Sequence, residues 1–424
     1  MNKVIHKSRG IKGELTVPGD KSISIRSVLF GSIAEGVTCI KGLGSGGDVR
    51  SAVSCMRQLG IKIDEENSKT IIRGNGLYGL QKQPSAIDVG NSGTTIRLLS
   101  GILAGQKFSC EITGDESIRR RPMKRIIEPL QQMEADIKGT NEPYLAPIII
   151  SGKKLKSIHY KSPVASAQVK SCIMLAGLFA DGTTYITEPY KSRDHSERML
   201  SYMNVPVGID GTTVSIEGGN NPSGSDIFIP GDISSGAFLI VAALLIDDSD
   251  ITIKNVGINP TRTGIIDVLR QMGGHIEYAD TREVNNEPVT DIHVKTSRLR
   301  GIEISGEMIP RVIDEVPVIA VAAALAEGET VIKDAEELRV KETDRITAVV
   351  SNLEKMGVPV EELPDGMIIR GPNKLKGTEI ESFNDHRIAL SFTIGGLTAD
   401  EKTVIKNAQW ADISFPGFFE MLGL

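Results

Sequence analysis

Residues 230–256 read PGDISSGAFLIVAALLIDDSDITIKNV, and the order of the parts within this stretch decides the fold. Small polar residues around Asp232 suit the start of a helix, an apolar run centred on LIVAALL follows, and Asp247 and Asp248 suit a turn. The alternating residues 250–256 then predict a strand. Because the helix is apolar on every side after its start, we expect it to be buried.

The same order of parts recurs five more times along the chain. The other copies cover residues 18–42, 89–114, 162–189, 313–335 and 383–408. If the helices start at Asp20, Asn91, Ser166, Asp232, Asp314 and Asp385, successive copies lie 71, 75, 66, 82 and 71 residues apart. Second amphipathic helices followed by strands lie between the copies, as in RIIEPLQQMEADI. The sequence therefore predicts one α/β unit repeated six times.

Length and composition predict a globular protein of two domains. The chain has 424 residues, of which 40% are hydrophobic and 24% charged, and single cores rarely grow beyond roughly 250 to 300 residues. No apolar stretch is long enough to span a bilayer, and the first residues lack the apolar core of a signal peptide. We expect a cytoplasmic protein with no membrane partner.

Charge and cysteine usage disfavour several classes of function. The net charge is −6, so a nucleic-acid partner is not expected, although Arg and Lys cluster locally beside Gly and Ser. The four cysteines and six histidines show neither metal-ligand spacing nor a disulfide pattern. No phosphate-binding P-loop motif is present. Local pockets for a small anion fit this pattern, and no metal is expected.

The polar helix starts are candidate anion sites. A helix N-terminus carries unpaired amide donors and roughly half a positive charge. A start that serves only to cap its helix is the simpler explanation for any one copy. Six such starts, four of which also carry cationic or amide side chains, favour anion binding at a shared cleft; these side chains belong to Lys21, Arg26, Arg97, Gln168, Lys170 and Arg387.

Other residues suit particular chemical roles. Gly93 would allow a ligand close to the backbone, although a tight turn would also require glycine. Five cations between residues 119 and 125 suit carboxylate or phosphate groups. Asp314 and Glu315 stand at the fifth helix start, where capping accounts for one of them, and Glu342 lies in a segment of alternating charge.

Together these motifs closely resemble the 5-enolpyruvylshikimate-3-phosphate (EPSP) synthase family, from VPGDKS to SFPGFF. The matching strings are GDKSISIR, GNSGTTIR, RRP, SAQVKS, RDH, DEVP, RVKETDR and NDHR. SAQVKS and RDH look like the class II branch. The resemblance implies two inside-out α/β barrel domains, each with three repeats of a βαβαββ-type unit. Residues 1–16 and 229–424 would form one domain and residues 17–228 the other, with the active site in the cleft between them.

The implied reaction adds the 5-hydroxyl of shikimate 3-phosphate to C2 of phosphoenolpyruvate, protonates C3, and then loses phosphate and a proton. No cofactor is implied. By resemblance, Asp314 accepts the hydroxyl proton, and Glu342 and Lys21 are candidates for proton transfer at C3.

The resemblance also implies the binding residues. Those for shikimate 3-phosphate are Lys21, Ser22, Arg26, Ser166, Ala167, Gln168, Arg193, Asp314 and Lys341. Those for phosphoenolpyruvate are Lys21, Gly93, Arg121, Gln168, Arg345 and Arg387. Ala167 and Arg193 depart from the class I pattern, and Arg193 is expected to take over a contact with the shikimate phosphate. A monomer is expected, and glyphosate is an expected inhibitor because Gly93 is a glycine.

Two other functions are compatible with these residues. A sister enzyme transfers enolpyruvyl to UDP-N-acetylglucosamine on the same architecture, but it normally carries a reactive cysteine in the loop that aligns with residues 114–122, where this chain has none. The second is a noncatalytic anion-binding repeat protein.

Overall fold

Residues 1–229 contain both helices and short strands along their whole length. The structure, a computed structural model, describes all 424 residues. The strands of this part are β1 (Lys3–Ile5), β2 (Lys12–Thr16), β3 (Glu35–Lys41), β4 (Lys62–Glu66), β5 (Lys69–Asn75), β6 (Ile87–Asp88), β7 (Ser109–Thr113), β8 (Asp136–Gly139), β9 (Ile148–Ser151), β10 (Leu155–Lys156), β11 (His159–Lys161), β12 (Ala180–Asp181), β13 (Thr183–Thr187), β14 (Val207–Asp210), β15 (Thr213–Glu217) and β16 (Asp226–Phe228). The helices are α1 (Lys21–Ser32), α2 (Gly47–Gln58), α3 (Gly93–Ala104), α4 (Glu116–Arg120), α5 (Lys124–Gln132), α6 (Ala167–Gly177) and α7 (His195–Tyr202).

Residues 230–424 likewise contain both helices and strands. The strands are β17 (Asp250–Gly257), β18 (His275–Val284), β19 (Glu287–Lys295), β20 (Glu303–Ile304), β21 (Gly328–Ile332), β22 (Val360–Leu363), β23 (Gly366–Gly371), β24 (Glu379–Glu381) and β25 (Thr403–Lys406). The helices are α8 (Ile233–Leu245), α9 (Gly264–Gln271), α10 (Ile309–Val312), α11 (Val316–Leu325), α12 (Arg345–Lys355), α13 (His386–Thr398) and α14 (Phe418–Met421). Short 3₁₀ helices cover Gly306–Met308, Glu336–Val340 and Ala408–Ile413.

The chain divides into two units. Unit 1 comprises Met1–Pro18, Pro230–Glu283 and Pro288–Leu424, and unit 2 comprises Gly19–Ile229 and Val284–Glu287. Each unit has its own core of buried apolar side chains.

Six small sheets repeat one strand order. In five of them the first two strands are parallel and the last two form an antiparallel hairpin; these sheets are β16-β3-β5-β4, β6-β7-β9-β8, β11-β13-β15-β14, β2-β17-β19-β18 and β20-β21-β23-β22. The sixth, β24-β25-β1, has three strands. Parallel neighbours need a crossover connection, and helices such as α3, α11 and α13 provide it. The six predicted copies thus each become one sheet with its helices.

The first helix of each copy is buried, as predicted from its composition. In α8 every residue from Ile233 to Leu244 is buried, and α11 and α13 pack against it within unit 1. In unit 2, α3 packs against both α1 and α6. Burial all round explains why these helices lack a polar face.

Four of the six predicted helix starts are confirmed as N-caps. They are Asp20, Ser166, Asp232 and Asp385. The predictions for Asn91 and Asp314 were each one residue early, because Ser92 and Glu315 occupy those N-cap positions. The Ser92 hydroxyl accepts from the Thr95 amide, which leaves Asn91 to bond with Arg121 and Asp115. No helix in the chain is both long and apolar enough to cross a membrane.

Candidate active site

The first copy brings two predicted cations to the start of α1. Lys21 follows the N-cap Asp20, and its Nζ lies 3.1 Å from Oδ2 of Asp48 at the start of α2. Ser22 comes next, and its carbonyl accepts from Nη1 of Arg26 at 3.0 Å. One helical turn therefore places both cations near one helix N-terminus, where an anion is already favoured.

Arg26 is held in place by side chains of α6 and α7. Its Nε donates to Ser196 Oγ at 2.7 Å and its Nη2 donates to Ser171 Oγ at 2.9 Å, and the residue is only 2% exposed. Burial lowers the pKa of Arg26 to about 10, while Glu197 opposes the shift. Arg193 also lowers this pKa, so its positive charge lies close to Arg26. The guanidinium is still charged at neutral pH and is poorly solvated, a state that an anionic ligand would stabilise.

The second and third copies are joined through Gln168. Ser166 is the N-cap of α6 and Ala167 its first residue. The Oε1 of Gln168 accepts from Nη1 of Arg97 at 2.6 Å, and its Nε2 donates to Thr94 Oγ1 at 3.0 Å. The starts of α3 and α6 are therefore locked side by side.

Gly93 and Arg121 complete the part of the site in unit 2. Gly93 begins α3, and a Cβ built on it would lie 3.0 Å from Nη1 of Arg97 and 3.2 Å from Nη1 of Arg121. Arg121 ends α4, and its Nη2 donates to Ser117 Oγ at 3.1 Å and to Asn91 Oδ1 at 3.3 Å. Two guanidinium groups thus lie close to a backbone position that has no side chain.

In unit 1, Asp314 lies between two arginines. Its Oδ1 is 3.7 Å from Nη1 of Arg345, its Oδ2 is 3.6 Å from Nη2 of Arg387, and its carbonyl accepts from Nη1 of Arg387 at 2.9 Å. Its side chain is 17% exposed, whereas those of Arg345 and Arg387 are 2% and 8% exposed. The carboxylate is therefore held between two cations and is still exposed enough to reach a ligand.

Arg345 also binds Glu342 and the sixth helix start. Its Nη2 donates to Glu342 Oε2 at 2.6 Å, and its Nε donates to Asp385 Oδ2 at 2.7 Å. Burial alone would lower the pKa of Arg345, but the carboxylates of Asp385, Glu342 and Asp314 raise it instead. The predicted residues Asp314, Glu342, Arg345 and Arg387 are therefore brought together, and Arg345 stays charged.

Lys341 is the one predicted residue of unit 1 with a different partner. It follows the 3₁₀ helix Glu336–Val340, and its Nζ pairs with Oε1 of Glu337 at 3.2 Å. The segment of alternating charge is thus divided: Arg339 and Asp344 pair with each other, and Asp344 caps α12.

Several carboxylates of the site were not predicted from the sequence. Asp48 pairs with Lys21, and Glu188 and Glu197 pair with the buried Lys170. The signal that could have revealed Asp48 and Glu197 is a carboxylate next to a helix start, as in Gly47-Asp48 and His195-Ser196-Glu197. Glu315, which the sequence analysis does name, bonds to Ser234 and lies 3.5 Å from Arg387.

The cysteines lie outside this site. Burial raises the pKa of Cys55 and of Cys172 to about 12 and that of Cys110 to about 11. These thiols stay protonated at neutral pH and are poor nucleophiles.

Comparison with known proteins gives the family. The model of the EPSP synthase (3-phosphoshikimate 1-carboxyvinyltransferase) family matches residues 5–422. The chain belongs to the EPSP synthase family. A 3-phosphoshikimate 1-carboxyvinyltransferase of Thermoanaerobacter sp. (strain X514) is 55% identical over 99% of both chains. One from Brevibacillus brevis is 54% identical over 99% of this chain and 98% of the relative.

Solved structures agree with this membership. An EPSP synthase from Acinetobacter baumannii has a TM-score of 0.90 and 44% identity, covering 100% of this chain and 97% of that one. The EPSP synthase fold expected from the sequence is thereby confirmed. The six sheets and the buried first helices are how this family member builds that fold.

Proposed function

We propose that this EPSP synthase family member transfers the enolpyruvyl group of phosphoenolpyruvate to the 5-hydroxyl of shikimate 3-phosphate and releases phosphate. The observation that carries the proposal is the placement of Asp314, whose carboxylate is held at 3.7 and 3.6 Å from two buried arginines in a chain of this family. A base, fixed cations and a nearby second carboxylate are the groups that this addition and elimination requires.

In the first step, the 5-hydroxyl oxygen of shikimate 3-phosphate forms a bond to C2 of phosphoenolpyruvate. Asp314 accepts the proton that this hydroxyl loses. C3 gains a proton in the same step, which gives a tetrahedral adduct that still carries phosphate. In the second step, C3 loses a proton and the C2–O bond to phosphate breaks. The positive charge that develops at C2 is stabilised by the carboxylates of unit 1.

The environments of Lys21 and Glu342 suggest how the proton moves at C3. Lys21 carries a proton that it can donate, and the contact with Asp48 holds its ammonium at the start of α1. Glu342 offers a carboxylate that can accept a proton, and Arg345 holds it in place at 2.6 Å. We assign the donation to Lys21 and the later abstraction to Glu342.

The remaining side chains bind the two anionic substrates. The set for shikimate 3-phosphate is Lys21, Ser22, Arg26, Ser166, Ala167, Gln168, Arg193, Asp314 and Lys341. The set for phosphoenolpyruvate is Lys21, Gly93, Arg121, Gln168, Arg345 and Arg387.

The finer predictions follow from the family and the site. Glyphosate competes with phosphoenolpyruvate beside Gly93, and no cofactor takes part. The monomeric state, the cytoplasmic location and the absence of nucleic-acid and membrane partners stay predictions.

The test is phosphate release with each sugar acceptor. Purified protein is incubated with phosphoenolpyruvate plus either shikimate 3-phosphate or UDP-N-acetylglucosamine, and free phosphate is measured. We expect turnover with shikimate 3-phosphate alone. Turnover with the UDP-sugar alone, or with neither acceptor, would contradict the proposal.

A further inference from the structure

A buried ion cluster lies behind the helix starts of unit 2. Nζ of Lys170 is 2.9 Å from Oε2 of Glu188 and 2.7 Å from Oε1 of Glu197, and all three side chains are at most 3% exposed. Apolar residues of similar size would often stabilise a core equally well, since burying charges is costly. A cluster of this kind therefore calls for a role other than stability.

Glu188 uses both carboxylate oxygens to join two segments that carry predicted substrate contacts. Its Oε1 accepts from the Ser166 amide at 3.0 Å, at the N-cap of α6. Its Oε2 accepts from the Ser192 amide at 3.3 Å and from the Ser192 hydroxyl at 2.8 Å. Ser192 immediately precedes Arg193, so one carboxylate sets the spacing between the start of α6 and the loop that carries Arg193.

Lys170 holds this carboxylate in place. Burial by itself would lower the pKa of Lys170, but Glu197 and Glu188 outweigh burial and raise it, so the ammonium keeps its charge. Nζ of Lys170 also lies 3.4 Å from the Ser192 carbonyl. Since Glu197 belongs to α7, the cluster connects α6, α7 and the loop between β13 and α7.

We propose that Glu188 is a positioning residue for shikimate 3-phosphate: with Lys170, it fixes Ser166 and the Arg193 loop at the spacing that the phosphorylated sugar requires. The inference rests on the proposed function and deepens it. Glu188 is 2% exposed on its side chain and hydrogen-bonded at both oxygens, so it acts through its neighbours. If the cluster were purely structural, a substitution in it would lower the stability of the protein without selectively changing the affinity for shikimate 3-phosphate.

The test is Glu188→Gln. The glutamine side chain has the same size as glutamate. Its N–H group, however, would face either the Ser166 amide or the amide and hydroxyl of Ser192, which are donors themselves. Lys170 keeps its ion pair with Glu197. At an assay temperature well below the Tm of the variant, we expect KM for shikimate 3-phosphate to rise at least ten-fold. We expect kcat and KM for phosphoenolpyruvate each to change less than three-fold. A lower Tm with an unchanged KM for shikimate 3-phosphate would overturn the inference, as would an equal rise in both KM values.

Two further variants keep the result interpretable. Ser192→Ala removes only the hydroxyl bond, and we expect a smaller rise of the same KM, about two- to five-fold; no rise in either variant counts against the inference. Ile150→Ala opens a cavity in the core of unit 2 and is the control, with a lower Tm and wild-type KM values. Turnover by the wild-type protein tests the proposed function separately, because it does not depend on how these variants behave.

Discussion

Asp314 lies one residue before the N-cap of α11, and its carboxylate contacts Arg345 and Arg387. A residue that only capped the helix would instead bond to its first amides, and no side chain caps α11. At the scale of single residues, the partners of Asp314 therefore favour chemistry over capping.

We predict that Asp314→Asn lowers kcat by about 10²- to 10⁴-fold, the range for loss of a general base. The amide has the shape of the carboxylate, so kcat should fall far more than either KM rises, although loss of the ion pairs with Arg345 and Arg387 lowers Tm. Steady-state kinetics and thermal unfolding measure both effects.

The matched control is Asp291→Asn in the same unit. Asp291 is also a carboxylate of low exposure, which pairs with Lys254 and accepts from the Asn255 amide at 2.8 Å, but it belongs to no predicted substrate set. We expect this variant to lose roughly 1–3 kcal/mol of stability and to keep its kcat. If Asp314→Asn likewise lost stability but kept the wild-type kcat, the role of Asp314 would be structural.

Gly93 gives a second prediction at this scale. In Gly93→Ala the new methyl would lie 3.0 Å from Arg97 and 3.2 Å from Arg121, closer than carbon atoms normally come to these groups. It would occupy ligand space, and an unfavourable methyl in a tight pocket changes affinity by about 10- to 200-fold. We expect inhibition by glyphosate to weaken by that factor, with a smaller rise in KM for phosphoenolpyruvate, in inhibition assays at several phosphoenolpyruvate concentrations.

Gly395→Ala controls for the substitution itself. It lies in α13, where the new Cβ would meet Met356 at 3.5 Å, an ordinary contact. Glyphosate sensitivity should stay at the wild-type level in this variant. Equal sensitivity in Gly93→Ala and wild type would show that the space at Gly93 does not control the inhibitor.

At the scale of elements, α3 and α6 are in close backbone contact at Gly101. A Cβ at Gly101 would overlap the carbonyl of Cys172 on α6, so the two helices could not keep their distance. We predict that Gly101→Ala costs about 1–3 kcal/mol and also raises KM for phosphoenolpyruvate, because separation of the helices would strain the Gln168 bonds to α3. Thermal unfolding measures the loss of stability, and steady-state kinetics measures KM for phosphoenolpyruvate.

Gly236→Ala in α8 is the matched helix control. The nearest atom to its new Cβ, in Val256, lies 4.0 Å away, so the methyl fits. Alanine favours a helix over glycine by about 1 kcal/mol, and we expect Tm to stay constant or rise. A fall in Tm in both variants alike would mean that helix approach is not what Gly101 provides.

At the scale of the whole molecule, buried thiols make stability sensitive to alkali. Cys55, Cys110 and Cys172 have folded pKa values of about 11 to 12, above the ordinary value of 9.0. Below pH 9 these thiols are protonated in both the folded and the unfolded chain, so they do not change the free energy of unfolding. Above pH 9 only the unfolded chain ionises, so each thiol lowers stability by up to about 1.4 kcal/mol per pH unit.

We therefore predict that the free energy of unfolding, measured by urea titration, is unaffected by these thiols up to about pH 8 and falls between pH 9 and pH 10. Arg26 acts in the opposite direction only above about pH 10, because its pKa is lowered by burial. Cys55→Ala and Cys172→Ala should each make the fall shallower. A constant free energy over this range would contradict the assignment.

The sequence by itself determined the repeated architecture of this protein. Helix starts such as Asp20 and Asp232, the apolar helices after them and the alternating strands are local patterns, so they could be read from neighbouring residues. The residue types of the site were predictable for the same reason, since cations and carboxylates cluster at these helix starts.

Only the tertiary structure decided which groups meet. Arg345 contacts Asp385, 40 residues away, and Arg26 contacts Ser171, 145 residues away, and no local period encodes such distances. The N-cap of α3 is Ser92 and not Asn91, because Asn91 bonds to Arg121 and Asp115. β2 and β16 likewise complete sheets whose other strands lie far away in sequence. Packing of buried helices sets these partnerships, and the spacing it imposes depends on the whole core of each unit.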